Sequence, residues 1–267
     1  MKRTKRVLVG DFETTVYEGQ EKTEVWASAV VELYSEDALL FHSIGETFDY
    51  LKSLKCNLII YYHNLKFDGN FWLSYLLKDL HYTQAIIGDD TESGRKINIE
   101  GVDDIVKYTG VRWLENKQMI NNSFKYAISD RGQWYDIVIK TGGHLIEIRD
   151  SLKLLPFSVK QIGRDFKTKH RKTEIEYKGV RFAGCEITPK EEEYIKNDVM
   201  VVKEALEIMF DEGHDSMTIG SCCLSEFKKN FEFSPDKYDV DKFDMCGNTK
   251  DIDFFFRQSK QSRVAAV

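Results

Sequence analysis

The chain has 267 residues, of which 42% are hydrophobic and 31% charged, which excludes a disordered chain and indicates one large domain or one domain with an appendage. The formal net charge of −6 gives the chain as a whole no excess of Lys and Arg for phosphate binding. No run of 18 apolar residues is present, so a membrane-spanning helix and a membrane partner are excluded.

The five cysteines are irregularly spaced, without a CxxC pair or a nearby His cluster. They do not indicate a zinc site, and reduced thiols in a cytoplasmic protein are expected. The basic start of the chain is followed by an apolar stretch that is too short for a signal peptide.

The first part of the chain alternates apolar runs with segments of helical spacing. The predicted strands cover residues 6–10, ending at Asp11, and 23–34, 39–44 and 58–62. The predicted helices cover 47–54, with Thr47 as the N-cap, and 69–80. Residues 86–131 contain many turn formers and predict turns, insertions and one or two strands.

The second part predicts a hairpin over 132–148 around Gly142-Gly143, followed by a partly helical segment over 150–166. A further helix is predicted from Pro189 to about Met209, because Thr188 is a good N-cap and the first turn is acidic. This order of elements predicts an α/β layer structure. From about residue 218 the periodicity is lost, so we expect one domain over 1–217 and an incomplete or poorly ordered element over 218–267.

Asp11 and Glu13 lie two residues apart, directly after an apolar strand. In an extended strand they point to the same face, while Phe12 points into the core. Two carboxylates aimed at one point repel each other unless a cation lies between them, and their oxygens suit Mg²⁺ or Mn²⁺. The pair indicates a divalent metal site, although the same spacing also occurs at solvated strand ends.

Two further acids are unremarkable when each is taken alone. Asp68 lies at the entry to a predicted helix, where a plain N-cap is the simpler interpretation. Asp198 lies one helical turn after Tyr194, where a surface acid beside a half-buried ring is the simpler interpretation. Together with Asp11 and Glu13, they predict a two-metal site for phosphodiester hydrolysis, in which Tyr194 orients the attacking water.

A basic segment is the local exception to the acidic average. Residues 151–182 hold nine Lys or Arg and three acids, so this segment carries about +6 and the rest of the chain about −12. Basic residues beside aromatic rings are typical of a single-strand binding channel, although a solvated loop explains individual positions such as Lys169 equally well.

Four ordered segments resemble the exonuclease domain of protein-primed family B DNA polymerases, the phage type. They are Asp11-Phe-Glu-Thr-Thr15, Tyr62-His-Asn-Leu-Lys-Phe-Asp-Gly69, Asp150-Ser-Leu-Lys-Leu-Leu-Pro-Phe157, and Ile187-Thr-Pro189 with Tyr194-Ile-Lys-Asn-Asp198. The resemblance runs from about residue 6 to about residue 217. It implies a ribonuclease H-like mixed sheet flanked by helices and a metal-dependent 3′–5′ proofreading site on single-stranded DNA, in a chain located in a bacterial host cell or encoded by a prophage or plasmid.

The resemblance also implies residue roles. Two divalent ions, Mg²⁺ or Mn²⁺, are held by Asp11, Glu13, Asp68 and Asp198. Tyr194 positions the water, and Lys172 neutralises charge on the scissile phosphate. The frayed 3′ end is held by Thr14, Tyr61, His63, Asn64, Phe67, Phe71, Ser151 and Leu152, and Tyr177 orients the strand. The implied partners are a single-stranded DNA 3′ end and the remaining polymerase part or a terminal protein.

A full-length member of that family continues into a palm domain with two aspartate motifs. Here Phe254-Phe-Phe-Arg-Gln-Ser259 resembles the approach to the palm, and no palm aspartates follow. The resemblance therefore implies truncation before the palm. Residues 218–267 are then the incomplete start of the palm region or a poorly ordered tail, and no DNA synthesis is expected from this chain alone.

Two other functions stay open. One is a non-catalytic module that binds single-stranded DNA as a relic or a regulatory fragment, and its sign would be a missing acid or tyrosine. All four acids and Tyr194 are present, which favours the enzyme. The other is a related nuclease acting on RNA, for which the sequence offers no clear reader of the 2′-hydroxyl group.

Overall fold

The computed structural model describes residues 5–15, 19–87, 96–97, 106–107, 112–175 and 180–230. The chain divides into two compact units, Met1–Ile219 and Gly220–Val267. The predicted tail from 218 falls largely outside the described residues. Both its nature and the boundary at 217 therefore stay predictions.

An eight-stranded mixed sheet lies at the centre of the first unit. Its strand order is β3-β2-β1-β4-β12-β11-β10-β5. Its strands are β1 (Arg6–Thr14), β2 (Val25–Glu32), β3 (Leu39–Phe41), β4 (Leu58–Tyr62), β5 (Thr83–Gln84), β10 (Ser123–Ile128), β11 (Trp134–Thr141) and β12 (His144–Asp150). Strands β1, β4 and β12 are parallel neighbours, whereas β2 and β11 pair antiparallel with both of their neighbours. The sheet is thus mixed, as predicted.

Four two-residue strands form two separate antiparallel pairs in the segment that the sequence predicts to hold turns and insertions. They are β6 (Ile86–Ile87) with β9 (Arg112–Trp113), and β7 (Lys96–Ile97) with β8 (Val106–Lys107). Much of 86–111 lies outside the described residues.

Helices cover the two faces of the sheet. Apolar side chains of α1 (Ile44–Ser53) and α2 (Leu65–Ser74), such as Phe48 and Trp72, pack in one core with Leu8 and Phe12 of β1. On the opposite face, α4 (Pro189–Asp211) contacts β1, β2 and β3, and α3 (Val159–Asp165) packs on α4. The last described helix is α5 (Ile219–Asn230). The predicted α/β layer structure is confirmed.

Strand β1 is longer than the sequence predicts. It continues past Asp11 to Thr14 because β2 pairs with it along this stretch, with Asp11 opposite Ala29 and Glu13 opposite Ala27. The prediction of a strand ending at Asp11 was wrong, since an apolar run marks only the part of a strand that is buried on both faces. The two acids therefore lie within a paired strand.

Helix α1 begins earlier than predicted. Its N-cap is Ser43, whose hydroxyl accepts a hydrogen bond from the backbone N–H of Glu46. The predicted cap, Thr47, is buried in the first turn and donates its hydroxyl to the carbonyl oxygen of Ser43. Ser and Thr are both good caps, and spacing alone does not distinguish two of them one turn apart.

Helix α2 also begins earlier, at Leu65 rather than at Gly69. Its N-cap is Asn64, in the left-handed conformation with φ 67°, and Asp68 lies inside the first turn. The helix ends in a π-helical turn, Tyr75–Asp79. Asp68 is therefore not an N-cap, which removes the simpler interpretation of this residue.

Other predicted elements agree with the structure. Thr188 and Glu191 form a reciprocal capping box at the start of α4, with Pro189 in the first turn. The predicted hairpin is β11 and β12, joined at Gly142-Gly143. The partly helical segment after Asp150 is a 3₁₀ turn, Ser151–Lys153, followed by α3 with Ser158 as its N-cap. In the described part of the chain, no helix is both long and apolar enough to cross a membrane.

Gly69 offers a test of the packing between α2 and the sheet. A Cβ atom at this position would lie 2.5 Å from Cζ3 and 2.7 Å from Cε3 of Trp134. We expect Gly69→Ala to destabilise the protein by about 1–3 kcal/mol through overpacking, measured as a lower urea midpoint. Gly45→Ala in α1 is the control, because its Cβ would meet no atom closer than 3.4 Å. Equal midpoints for both variants would contradict the packing described here.

Candidate active site

The carboxyl ends of three parallel strands bring the candidate residues together. Gly10 of β1 pairs with Tyr62 of β4, and Tyr62 pairs with Asp150 of β12. The residues that follow these register positions, Asp11, His63 and Ser151, therefore lie at the same edge of the sheet. This edge is where α/β proteins commonly place their ligands.

All four predicted acids lie in one site. Asp11 and Glu13 point away from Phe12, whose ring packs against Tyr62 and Trp72 at centroid distances of 5.0 and 5.5 Å. Asp68 of α2 is 2% exposed and Asp198 of α4 is 5% exposed. Glu13, Asp68 and Asp198 are each close enough to Asp11 to raise its pKa.

Burial and mutual repulsion dominate the electrostatics of these acids. Burial raises the pKa of Asp11 well above its ordinary value, and the neighbouring carboxylates raise it further, whereas Lys172 lowers it. Burial raises the pKa of Asp68 to about 8, against the opposing effect of backbone N–H groups. Burial also raises the pKa of Asp198, which Lys172 partly offsets. An added cation would relieve this repulsion.

Lys172 is a positive charge inside the site. Its ammonium group forms an ion pair with Asp198 and lies 5.5 Å from the centre of the Tyr194 ring. Burial lowers the pKa of Lys172, but the hydrogen bond to Asp198 and the charges of Asp198, Tyr194 and Asp11 together outweigh it, so the pKa is raised. Burial and Asp198 raise the pKa of Tyr194, so its hydroxyl keeps its proton near neutral pH. The structure thus brings Lys172, Tyr194 and Asp198 together, as the sequence predicts.

Two carboxylate oxygens in the site fit the role of metal ligands. Oδ1 of Asp68 and Oδ1 of Asp198 are buried without a hydrogen-bond partner within the described chain. A buried oxygen in this state is costly, and a hard divalent cation is a partner that carboxylates readily bind. As the described residues are placed, no three Asp, Glu, His or Cys side chains are close enough to hold one ion. The residues fit Mg²⁺ or Mn²⁺ by their chemistry, and binding requires side-chain rotations that draw them together.

A cavity of about 160 Å³ opens beside the acids. Its polar wall is Asp11, His63, Lys172 and Asp198, and its apolar wall is Val9, Gly10, Val159, Val199 and Val202. The space suffices for a few water molecules or a phosphate group.

Asp150 joins the segments after β4 and β12. Its Oδ1 accepts hydrogen bonds from the backbone N–H groups of Asn64, Leu65 and Leu152, at 3.1, 3.2 and 3.0 Å. Beside it, His63 bonds through Nδ1 to the hydroxyl of Ser151 at 3.0 Å and through Nε2 to the carbonyl oxygen of Phe157 at 2.8 Å. Burial lowers the pKa of His63. These bonds fix the loop that starts α2 and therefore the position of Asp68.

The other predicted strand-binding residues differ in accessibility. Phe67 is 49% exposed and meets Phe71 edge-on at 5.5 Å, while Thr14 and Leu152 are partly buried. Tyr61 is fully buried, and its ring meets Phe210 of α4 at 6.2 Å. The prediction that Tyr61 contacts the strand is therefore not supported, because alternation on β4 turns Tyr61 away from Tyr62 and toward α4. Tyr177 lies outside the described residues.

A second carboxylate, that of Glu204, fixes the segment that carries Lys172. Oε2 of Glu204 on α4 accepts hydrogen bonds from the backbone N–H groups of Lys169 and His170, at 2.5 and 3.3 Å, and Oε1 bonds to Nδ1 of His170 at 2.5 Å.

The sequence did not predict three residues that position the site: Asp150, His170 and Glu204. For Asp150 a local signal exists, since an acid at a strand end often bonds the N–H two residues on. The bonds of Glu204 span 34 and 35 residues and leave no local signal.

The raised carboxylate pKa values predict how the stability of the metal-free protein depends on pH. A carboxyl group whose pKa rises on folding binds more protons in the folded than in the unfolded state between the two pKa values. For Asp68 this interval runs from 3.8 to about 8. Stability should be greatest below this interval and fall as the pH rises through it.

We therefore expect Asp68→Asn to flatten this pH dependence and to raise the Tm above that of the wild type near pH 8. The measurement is thermal unfolding in EDTA between pH 5 and 8.5. A change of about 1 kcal/mol moves the Tm by about 2–4 °C at this domain size, so the difference is measurable. Asp130→Asn, at an exposed turn position, should leave the wild-type profile unchanged. Parallel profiles for wild type and Asp68→Asn would contradict the raised pKa of Asp68.

The three backbone hydrogen bonds that Asp150 accepts give a further prediction. Asp150→Ala leaves three backbone donors without their shared acceptor, and each such loss costs about 1–3 kcal/mol if the group stays buried. We expect a clearly lower urea midpoint, whereas Asp150→Asn keeps an acceptor oxygen and should recover at least half of the loss. Equal destabilisation by both variants would show that the charge, and not the hydrogen bonds, matters at this position.

Known proteins resemble this chain over most of its length. Residues 51–188 match the family described as DNA polymerase type B, organellar and viral. The chain is 35% identical to the DNA polymerase of Bacillus phage B103 over 225 residues, which is 82% of this chain and 33% of that protein. It is 29% identical to the DNA polymerase of Streptococcus phage Cp-1 over 244 residues, or 86% of this chain and 35% of that protein. It thus spans about a third of the length of these relatives.

Solved structures agree with this relationship. Phi29 DNA polymerase in an orthorhombic crystal form matches with a TM-score of 0.66 and 32% identity, covering 85% of this chain and 35% of that one. The same polymerase complexed with single-stranded DNA matches with a TM-score of 0.65 and 32% identity, covering 86% and 36%. These matches confirm the predicted ribonuclease H-like fold. The chain belongs to the organellar and viral type B DNA polymerases, in their protein-primed phage group.

Proposed function

We propose that this chain is a metal-dependent 3′–5′ exonuclease, the proofreading part of a protein-primed type B DNA polymerase. Its substrate is the 3′ end of single-stranded DNA, from which it hydrolyses nucleotides. The observation that carries this proposal is the gathering of four acids from β1, α2 and α4 in one site. Asp11 and Asp198 line its cavity together with Lys172, and two buried carboxylate oxygens, of Asp68 and Asp198, are unpartnered in the described chain.

In the proposed mechanism, Asp11, Glu13, Asp68 and Asp198 hold two divalent ions. When bound, these ions supply a hydroxide from water near neutral pH and stabilise the charge on the scissile phosphate. Without a cation, the raised pKa values of Asp11, Asp68 and Asp198 show that the ionised acids are disfavoured. Binding of the ions would therefore release protons from these acids.

Lys172 and Tyr194 act on the reacting phosphate and water. The ammonium of Lys172 pairs with Asp198, and both residues line the cavity, so Lys172 is placed to pair with a phosphate oxygen as negative charge builds up. The hydroxyl of Tyr194 stays protonated near neutral pH and can both donate to and accept from a water molecule. Holding that water in line with the phosphate lowers the entropic part of the reaction barrier, because the two reacting groups are already oriented.

The aromatic pair at the start of α2 supports a single-stranded substrate. Phe67 is half exposed beside Phe71, next to the loop that carries His63 and Asn64. A flat ring in this position stacks on an unpaired base, which a duplex end does not offer. The phi29 relative is known in complex with single-stranded DNA, which agrees with this substrate class. The terminal protein and the remaining polymerase part stay predicted partners.

The proposal predicts a near-complete loss of nucleotide release in Asp11→Asn and Asp198→Asn. Each ion contributes several kcal/mol to the transition state, so losing a ligand should cost at least about 100-fold in rate. The measurement uses single-stranded DNA labelled at either end, in Mg²⁺ and in EDTA. A 5′ label should give a ladder of shortening products, a 3′ label should give labelled mononucleotide at once, and EDTA should abolish both.

The control is Asp130→Asn, which should keep full activity. Undiminished release by the two site variants would falsify the assignment. Binding of single strands by a wild type that releases no nucleotide would instead support a non-catalytic module. A matched RNA oligonucleotide, cut as fast as the DNA, would favour the RNA nuclease.

A further inference from the structure

A second cavity, of about 570 Å³, opens beside α3. We call it the basic cleft. It is lined by Ser158, Lys160, Gln161, Arg164, Arg171 and Lys172. Four of these six side chains carry a positive charge, whereas the chain as a whole has a net charge of −6.

The basic cleft adjoins the candidate active site at Lys172. Lys172 lines both the basic cleft and the smaller cavity that Asp11, His63 and Asp198 line. A polymer whose scissile phosphate lies beside Lys172 therefore has a basic surface within reach on the far side of this residue.

Two cations of the cleft, Lys160 and Arg164, are weakly paired. Lys160 is 76% exposed and lies 3.2 Å from Glu174, and Arg164 is 74% exposed and lies 2.7 Å from Asp165. Exposed pairs of this kind contribute between about 0 and 1 kcal/mol, so a phosphate can replace the carboxylate at little cost. Arg171 uses Nη1 to bond Thr168 and the carbonyl oxygen of His170. A guanidinium has five N–H donors, and these bonds use only one of its nitrogens.

The wall of the cleft is firmly placed. Lys160 and Arg164 are four residues apart on α3, so they follow one another at about 6 Å along the same helix face. The helix is capped by Ser158, which accepts from the N–H of Gln161, and it packs on α4 through the buried residues Ile162 and Gly163. Lys160 and Arg164 thus lie in a row on a fixed helix, and Arg171 and Lys172 lie in the segment that follows it.

We propose that the basic cleft is a subsite for the backbone phosphates of the nucleotides that adjoin the one being removed. The ligand class is a single-stranded phosphodiester chain, bound without recognition of the bases. This inference rests on the proposed function and deepens it. Four cations that line one cleft can contact several successive phosphates, whereas a released mononucleotide brings only one. That mononucleotide is the competing ligand, because its phosphate offers the same chemistry.

The test is a double variant, Lys160→Gln with Arg164→Gln, and a control double variant, Lys22→Gln with Lys117→Gln. The control lysines are also exposed and also paired, with Glu24 and Glu115. Binding of a fluorescent 12-nucleotide oligo-dT is measured by anisotropy in EDTA, at several salt concentrations. Since no catalysis is involved, the result is independent of whether the chain cuts DNA.

Each lost phosphate contact on a single strand lowers the slope of log K against log salt by about 0.7, so the cleft variant should lose about 1.4 from the slope. At 0.1 M salt its affinity should fall about 10- to 30-fold. The control variant should keep the wild-type slope and affinity. An unchanged slope in the cleft variant, or an equal loss in both variants, overturns the proposal.

Substrate length distinguishes the two ligands. If the cleft binds the adjoining strand, the cleft variant should lose activity on the 12-mer and keep it on a dinucleotide, which has no adjoining phosphates. If the cleft instead binds the released product, inhibition by dTMP should weaken while the slope stays unchanged, and the strand assignment is then wrong. A wild type that binds the strand but releases no nucleotide contradicts only the proposed function, because the salt dependence of binding still tests whether the cleft binds the strand.

Discussion

Four carboxylates that repel one another have to be held at one edge of the sheet, and most of the features around the site follow from this requirement. Burial raises the pKa values of Asp11, Asp68 and Asp198, so keeping their ionised forms together lowers the stability of the folded chain. Lys172 offsets part of this cost through its ion pair with Asp198. A bound cation would relieve the remaining repulsion, which is the physical basis of the proposed metal site.

The rigidity that this arrangement needs comes from two kinds of support. The parallel strands β1, β4 and β12 fix the registers of Gly10, Tyr62 and Asp150, and hence the starting points of three functional segments. Single carboxylates then fix those segments: Asp150 holds the start of α2, and Glu204 holds the segment before Lys172. Each acid satisfies backbone donors that a loop would otherwise leave unpaired, so the loops become parts of the scaffold.

Local patterns predict the elements that carry the chemistry better than they predict the bonds that position it. The period of two places Asp11 and Glu13 on one face of β1, and the capping signals at Thr188 place Tyr194 and Asp198 on α4. The cap of α1, the left-handed Asn64 and the burial of Tyr61 depend on tertiary neighbours that these patterns do not contain. The bonds from Asp150 to Asn64 and from Glu204 to His170 join segments that are far apart in the sequence. Their existence follows only from the assembled fold.

Strand β1 carries the hydrophobic core and the acids on alternate residues, with Phe12 between Asp11 and Glu13. A slip of one residue in its pairing would bury both carboxylates among Tyr62 and Trp72 and turn Phe12 toward solvent. Shifts in the register of this strand are therefore strongly disfavoured, and the strand can unfold only together with the core. Because β1 pairs with β2 along the acids and packs in the core through Leu8 and Phe12, we expect the backbone of the two acids to keep its geometry for as long as the core stays folded.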